Sequence, residues 1–163
     1  MSHQDATGPV FTASQLLSAF TGGDILTMLT SAATQAQLLG IEVAQVATAP
    51  HPMSVQGFRG TTSTGGGGAT VPSVNRDGYP GAKAAVSSVL GPPSAGNSTA
   101  SAEHLFAGGM DVDSGKFSWK PCLPPSLGIN DSFHLRASTS TISTAGVTLA
   151  VTMTYRETGK NAL

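Results

Sequence analysis

The chain holds a single cysteine, Cys122, in 163 residues. No internal disulfide can staple the fold, and no cysteine cluster can hold a structural zinc. Charge is equally scarce. Asp, Glu, Lys and Arg make up 10% of the residues, against a usual share of about 25%. Eight Lys and Arg oppose nine Asp and Glu, for a net charge of −1. Binding nucleic acid takes clustered cations that displace counterions from phosphates, and a polybasic membrane-surface protein takes them against anionic lipid; neither class is indicated. No apolar run nears the roughly 20 residues of a membrane span. The start, Met1-Ser2-His3-Gln4-Asp5, has no basic segment followed by an apolar one, so no secretory route is expected.

What is present favours β structure. Hydrophobic residues are 39% of the chain and net charge is almost nil, which argues against charge-driven disorder. The length suits one domain. There are 19 Ser and 19 Thr beside 20 Gly and 10 Pro. Threonine fits strands, while Gly, Pro, Ser and Asn punctuate turns. An exposed side made of hydroxyls and small residues is low in side-chain entropy, so it costs little to bury against another protein.

Residues 1–20 read as an arm, polar with scattered apolar anchors at Val10, Phe11, Leu16, Leu17 and Phe20, closed by Gly22-Gly23. Residues 25–29 form a short apolar run compatible with a buried strand, and 31–38 read as helix or loop. From Leu39 the pattern alternates, with Leu39, Ile41 and Val43 against Gly40, Glu42 and Ala44, until Pro50 and Pro52 end it. Residues 53–59 are another strand candidate, followed by the glycine-rich loop 60–68. That loop lacks the Gly-Lys-Ser/Thr ending of a phosphate loop. Residues 71–81 read as turns, 84–90 as an apolar stretch of open type, and 103–110 as a strand broken by a glycine pair. Phe117 and Trp119 alternate around Ser118, and Phe133 and Leu135 around His134. Val147, Leu149, Val151, Met153 and Tyr155 share one face of a final run. Such alternation belongs to antiparallel sheets with one buried face. The fold expected is all-β, an antiparallel β-sandwich, jelly-roll-like, over residues 21–163, with an extended N-terminal arm over 1–20.

The motifs that carry chemistry are weak. His3, His51, His104 and His134 stand in no metal-binding spacing, although His104 and His134 lie on predicted strands that could meet. Asp111-Val112-Asp113-Ser114-Gly115 opens like a calcium loop, but its glycine comes one residue early and Cys122 stands where the final glutamate belongs; an acidic turn is the plainer reading. No G-x-S-x-G elbow marks a serine nucleophile, and no pair among Glu42, Glu103, Asp111, Asp113 and Asp131 is singled out for glycoside hydrolysis. Cys122, between Pro121 and Leu123-Pro124-Pro125, reads as a small apolar filler. Neither an enzyme nor a cofactor is expected. Trp119 beside three prolines reads either as a core tryptophan entering a turn or as an anchor at a subunit interface.

Three ordered motifs together resemble a family of small tailed-phage virion proteins, the head-decoration or cement proteins. The first is Phe58-Arg59-Gly60-Thr61-Thr62 with the glycine-rich 63–68 and Thr70-Val71-Pro72. The second is Phe117-Ser118-Trp119-Lys120-Pro121 leading to Pro124-Pro125, and the third is the alternating strand closing at Tyr155-Arg156-Glu157. The pattern spans about residues 38–158, and the 1–20 arm has no counterpart in it. The resemblance implies a β-sandwich on the outer surface of a capsid, made in the host cytoplasm and clamping major-capsid subunits, commonly as a homotrimer about a local three-fold. The implied partners are the major capsid protein and further copies of this chain, with no nucleic acid and no membrane. Interface candidates are then Val10, Phe11, Leu16, Leu17, Phe20, Arg59, Trp119 and Pro121. On that reading the arm ties the protein to its neighbours, and deletion of residues 1–20 should remove capsid binding while sparing the sandwich. Two other roles fit a sandwich: a receptor- or glycan-binding module stacking sugars on Trp119, Tyr79 or Tyr155, and a low-copy head–tail connector or tail component.

Overall fold

The alternation of residues 147–155 is realised as a strand buried at every second position, from Val147 through Tyr155 and on to Glu157. The computed structural model describes residues 8–46, 51–60, 69–76, 85, 87–91, 103–110, 113–138 and 146–158. Among these there is no helix. The strands are β1 (Val10–Phe20), β2 (Gly23–Leu29), β3 (Gln35–Gln45), β4 (Ser54–Arg59), β5 (Ser73–Asn75), β6 (Ser88–Leu90), β7 (Glu103–Gly109), β8 (Lys116–Trp119), β9 (Ser126–Leu127), β10 (Ser132–Ser138) and β11 (Val147–Thr158).

They form two antiparallel sheets. One has six strands in the order β5-β1-β11-β3-β8, with β9 also paired to β3; the other has five, β6-β2-β10-β4-β7. Leaving aside the short β5, β6 and β9, the eight main strands in chain order run 1-8-3-6 in one sheet and 2-7-4-5 in the other. Successive strands thus alternate between sheets, save where the fourth and fifth lie side by side, and the last strand lies between the first and third. This is the jelly roll, the double Greek-key sandwich found in viral capsid and lectin domains and in cupins. The all-β antiparallel sandwich expected from the sequence is the fold observed.

The core lies between the sheets. Phe11, Ile41, Val43, Leu149, Met153 and Tyr155 come from the six-stranded sheet, and Leu26, Met28, Val55, Phe133 and Leu135 from the five-stranded one. Phe11 stacks on Tyr155 with ring centroids 5.5 Å apart. Where the two edge strands β7 and β8 face each other, Phe106 packs against Trp119 at 4.3 Å and Phe117 at 5.8 Å, closing that side of the sandwich.

Several sequence expectations change. The arm is a strand over residues 10–20: β1 pairs with β11 on one side and β5 on the other, because Phe11 and Ala13 alternate with Thr12 and Ser14 and enter the core. Residues 1–7 of the expected arm lie outside the described residues. The stretch read as helix or loop begins β3 at Gln35, with Ala36 and Leu38 buried. Leu39 leaves the face of Ile41 and Val43. A bulge pairs Tyr155 with Leu38 and Thr154 with Gly40, so Leu39 is the extra residue and points outward. The glycine pair Gly108-Gly109 does not break its strand but completes β7. Part of the region read as turns is the short β5.

Candidate functional site

The six-stranded sheet turns one face to the core and the other outward. Strand alternation puts Val10, Thr12, Ser14 and Leu16 of β1 on the outer face, with Val74 of β5, Ala150, Thr152, Thr154 and Arg156 of β11, Glu42 and Ala44 of β3, and Lys116 and Ser118 of β8. Its middle is made of small and hydroxyl side chains. Ser14 and Thr152 share a hydrogen bond of 3.0 Å between their hydroxyls, which ties β1 to β11 on this side. Its charges stand around that middle. Lys116 lies opposite Ala44 and Arg156 opposite Val10, while Arg76 and Lys120 follow directly on β5 and β8. Half of the chain's eight Lys and Arg therefore gather on one face, and Glu42 is the one acid among the described strand residues there.

The bulge at Leu39 builds a cleft into this face. Leu39 is pushed outward as a wall, and Gly40 is left opposite Thr154 as a floor without side chain. The cleft holds about 360 Å³ and is lined by Val10, Leu39, Gly40, Glu42, Arg76, Lys120, Thr152 and Thr154. That is the small end of the roughly 300–1,000 Å³ typical of ligand clefts. Lys120 lies 3.5 Å from Glu42, both side chains mostly exposed at 72% and 59%. An exposed pair of this kind is held weakly and exchanges readily. The Arg76 guanidinium has no carboxylate partner among the described residues.

The interface candidates are spread across the molecule. Val10 opens β1 and lines the cleft, and Leu16 stands on the same outer face at 67% exposure. Phe11 and Phe20 are corrections: both are taken into the chain's own core and offer no surface to a partner. Leu17 is half-buried against that core. Arg59 is a clamp at one end of the sandwich. Its Nε lies 3.4 Å from Asp131 and 3.7 Å from Glu103, and its Nη1 donates to the Ser126 carbonyl at 3.1 Å. Trp119 is half-buried on Phe106, so the core-tryptophan reading describes its ring. Pro121 lies in the loop over 120–125 that interrupts the edge strand beside β3. The loop returns where the Leu38 amide donates to the Pro125 carbonyl at 3.1 Å. Prolines supply no ladder donor, so this stretch leaves the sheet. Cys122 is accordingly exposed rather than filling the core, and Leu123 beside it is 88% exposed.

The outer face of the five-stranded sheet carries a buried polar cluster that sequence reading missed. Arg136 Nε donates to Asp24 Oδ1 at 3.0 Å, and His134 Nδ1 lies 3.9 Å from Asp24 Oδ2 and 3.3 Å from the Thr27 hydroxyl. His134 Nε2 meets the Ser132 hydroxyl at 3.1 Å. A serine, a histidine and an aspartate thus stand in sequence, and all three are buried. His104 and His134, both on strands as the sequence suggested, are kept apart by Phe58, which pairs with His134 on one side and His104 on the other. Its ring packs edge-on against His104 at 4.4 Å. Among the described residues no group of three or more His, Cys, Asp or Glu is placed to hold a metal ion. Of the suggested calcium loop, Asp113 and Ser114 form the turn that leads to β8; Asp111 and Val112 lie outside the described residues.

Tyr155 cannot stack a sugar. Its ring is in the core and its hydroxyl donates to the Ser73 Oγ at 2.9 Å. Burial, helped by the charge of Glu157 and opposed by the Ser73 hydrogen bond, pushes its pKa up from 10.0 to about 12. Tyr79, the other tyrosine proposed for that role, lies outside the described residues.

No family model matches the chain, and no curated protein matches its sequence. Among solved structures, one of Desmodium yellow mottle tymovirus is similar at 13% identity, with a TM-score of 0.35 over 98% of this chain and 92% of that one. At that level of similarity it is the strand order, not the neighbour, that defines the fold.

Proposed function

We propose that the protein is a non-enzymatic structural protein of a tailed-phage virion, a decoration or cement protein on the outside of the head that stabilises contacts between major-capsid subunits. The observation that carries the reading is the open outer face of the six-stranded sheet. Its centre of Ser, Thr, Ala and Gly loses little side-chain entropy on burial, and its cations stand around that centre, as charged residues do at the rim of protein interfaces. The resemblance of the ordered motifs to those of phage decoration proteins supports the virion setting. So does the jelly roll, although lectin domains and cupins use it too. The sugar-stacking alternative loses Tyr155 to the core, and Trp119 is half-buried on Phe106. Assembly as a homotrimer would let three modest contacts act as one, since linked attachments multiply through effective concentration.

The test is the copy number of the protein in purified virions, measured by quantitative mass spectrometry against the major capsid protein. A number equal to that of the capsid protein, or a simple fraction such as one-third, is expected. A handful of copies would instead assign a connector or receptor-binding tip, and absence would end the virion reading.

A further inference from the structure

We infer that the cleft on the outer face of the six-stranded sheet is a binding site for an extended acidic peptide segment of a neighbouring protein. The inference adds the partner's chemistry to the proposed docking face and rests on that reading for its biological setting.

The bulge of β3 leaves Gly40 without a side chain under the stem of Lys120, so the cleft deepens there beside Thr152 and Thr154. Two hydroxyls on the floor can each donate to a carboxylate or a peptide carbonyl. Charge selects the ligand. Arg76 has no carboxylate partner among the described residues, and Lys120 has only its exposed contact with Glu42, which an incoming carboxylate can replace. Arg156 and Lys116 extend the positive field along the same face. A chain of net charge −1 that gathers half of its cations here presents this face to an anion. Among the described residues the lining contains no aromatic ring on which a sugar or a nucleobase could stack. Glu42 would repel a run of phosphates but can accept hydrogen bonds from peptide amides. A polypeptide with acidic side chains at alternate positions fits both features, because an extended strand sends alternate side chains to one side.

The test uses a fluorescein-labelled peptide of four alternating Glu-Ser repeats and its Gln-Ser twin, titrated by anisotropy into the whole chain. The acidic peptide is expected to bind, weakening as salt rises, and the neutral twin to bind on the order of tenfold more weakly. The double substitution Arg76→Gln with Lys120→Gln should weaken the acidic peptide on the order of tenfold. Both side chains lie at the surface, so its thermal unfolding should match that of the parent chain. Equal binding of both peptides, or no effect of the double substitution, overturns the inference. Tighter binding of a labelled oligothymidine of matched charge overturns it in favour of nucleic acid. The two proposals fail separately. Charge-dependent peptide binding by a protein absent from virions removes the virion reading and leaves the cleft; stoichiometric virion copies without such binding remove the cleft and leave the virion reading.

Discussion

Gly108 shows how a single residue makes room for the aromatic closure between the two edge strands. A Cβ placed there would come within 2.7 Å of the Phe117 ring, and one on Gly57 would overlap the ring of Phe106. Overpacking of this kind costs about 1–3 kcal/mol, since rings wedged between sheets cannot simply swing aside. Gly108→Ala is therefore expected to lower unfolding stability by about 2 kcal/mol in a urea titration. Gly40→Ala serves as the contrast. There the added carbon would sit 3.5 Å from the Trp119 carbonyl, an ordinary contact, and stability should stay close to that of the parent chain. In the sequence, Gly108-Gly109 looks like a break because glycine in a strand usually signals one. The clearance it provides involves Phe117, on a different sheet, and no local pattern can report that.

At the scale of elements, legibility followed the regularity of the pairing. The strand β11 was plain because its alternation is unbroken over residues 147–155 and continues to Glu157, whose carboxylate accepts the Ser87 amide at 2.6 Å. The strands β1 and β3 were harder because each carries a bulge. In β1 the register with β11 shifts between Leu17 and Phe20, with Ala19 in the left-handed region at φ 53°. The shift returns Phe20 to the core out of phase with Phe11 and Ala13. In β3 the first residues are Ala and Gln, poor strand formers, and the pairing with β11 overrides that preference. The consequence for β1 is direct. Deleting residues 1–20 removes a strand flanked on both sides and takes Phe11, Ala13 and Phe20 from the core. The truncated chain is expected to lose its β-sheet circular dichroism and cooperative unfolding, rather than to keep a sandwich that no longer binds. A folded, soluble truncation would contradict this placement of β1.

Across the whole molecule the sequence's near-neutral charge conceals an uneven surface. Arg76, Lys116, Lys120 and Arg156 are up to 80 residues apart in the chain and meet only through the order of the six-stranded sheet. The low total charge was legible and excluded a broadly basic protein; the gathering on one face was not, because it depends on topology and on the Leu39 bulge. Stability has a whole-molecule signature in alkali. Tyr155 has a folded pKa raised from 10.0 to about 12, so the unfolded chain loses that proton first as pH rises. The stability it protects is complete below pH 10 and is lost as pH climbs towards about 12. Urea titrations from pH 8 upward should show this decline, and Tyr155→Phe, lacking the ionisable group, should flatten it. An unchanged decline in that variant would assign the alkaline loss to other groups.

The position of β11 between β1 and β3 also governs when the protein can come into being. The first and third strands have no direct pairing with each other and wait on the last one to join them. During synthesis, the six-stranded sheet stays open until residues 147–158 have left the ribosome, however early the other strands emerge. Contacts between such distant parts of a chain form slowly, and strand edges left unpaired meanwhile invite association with other chains. In a protein built this way the sheet closes only once its last strand is available.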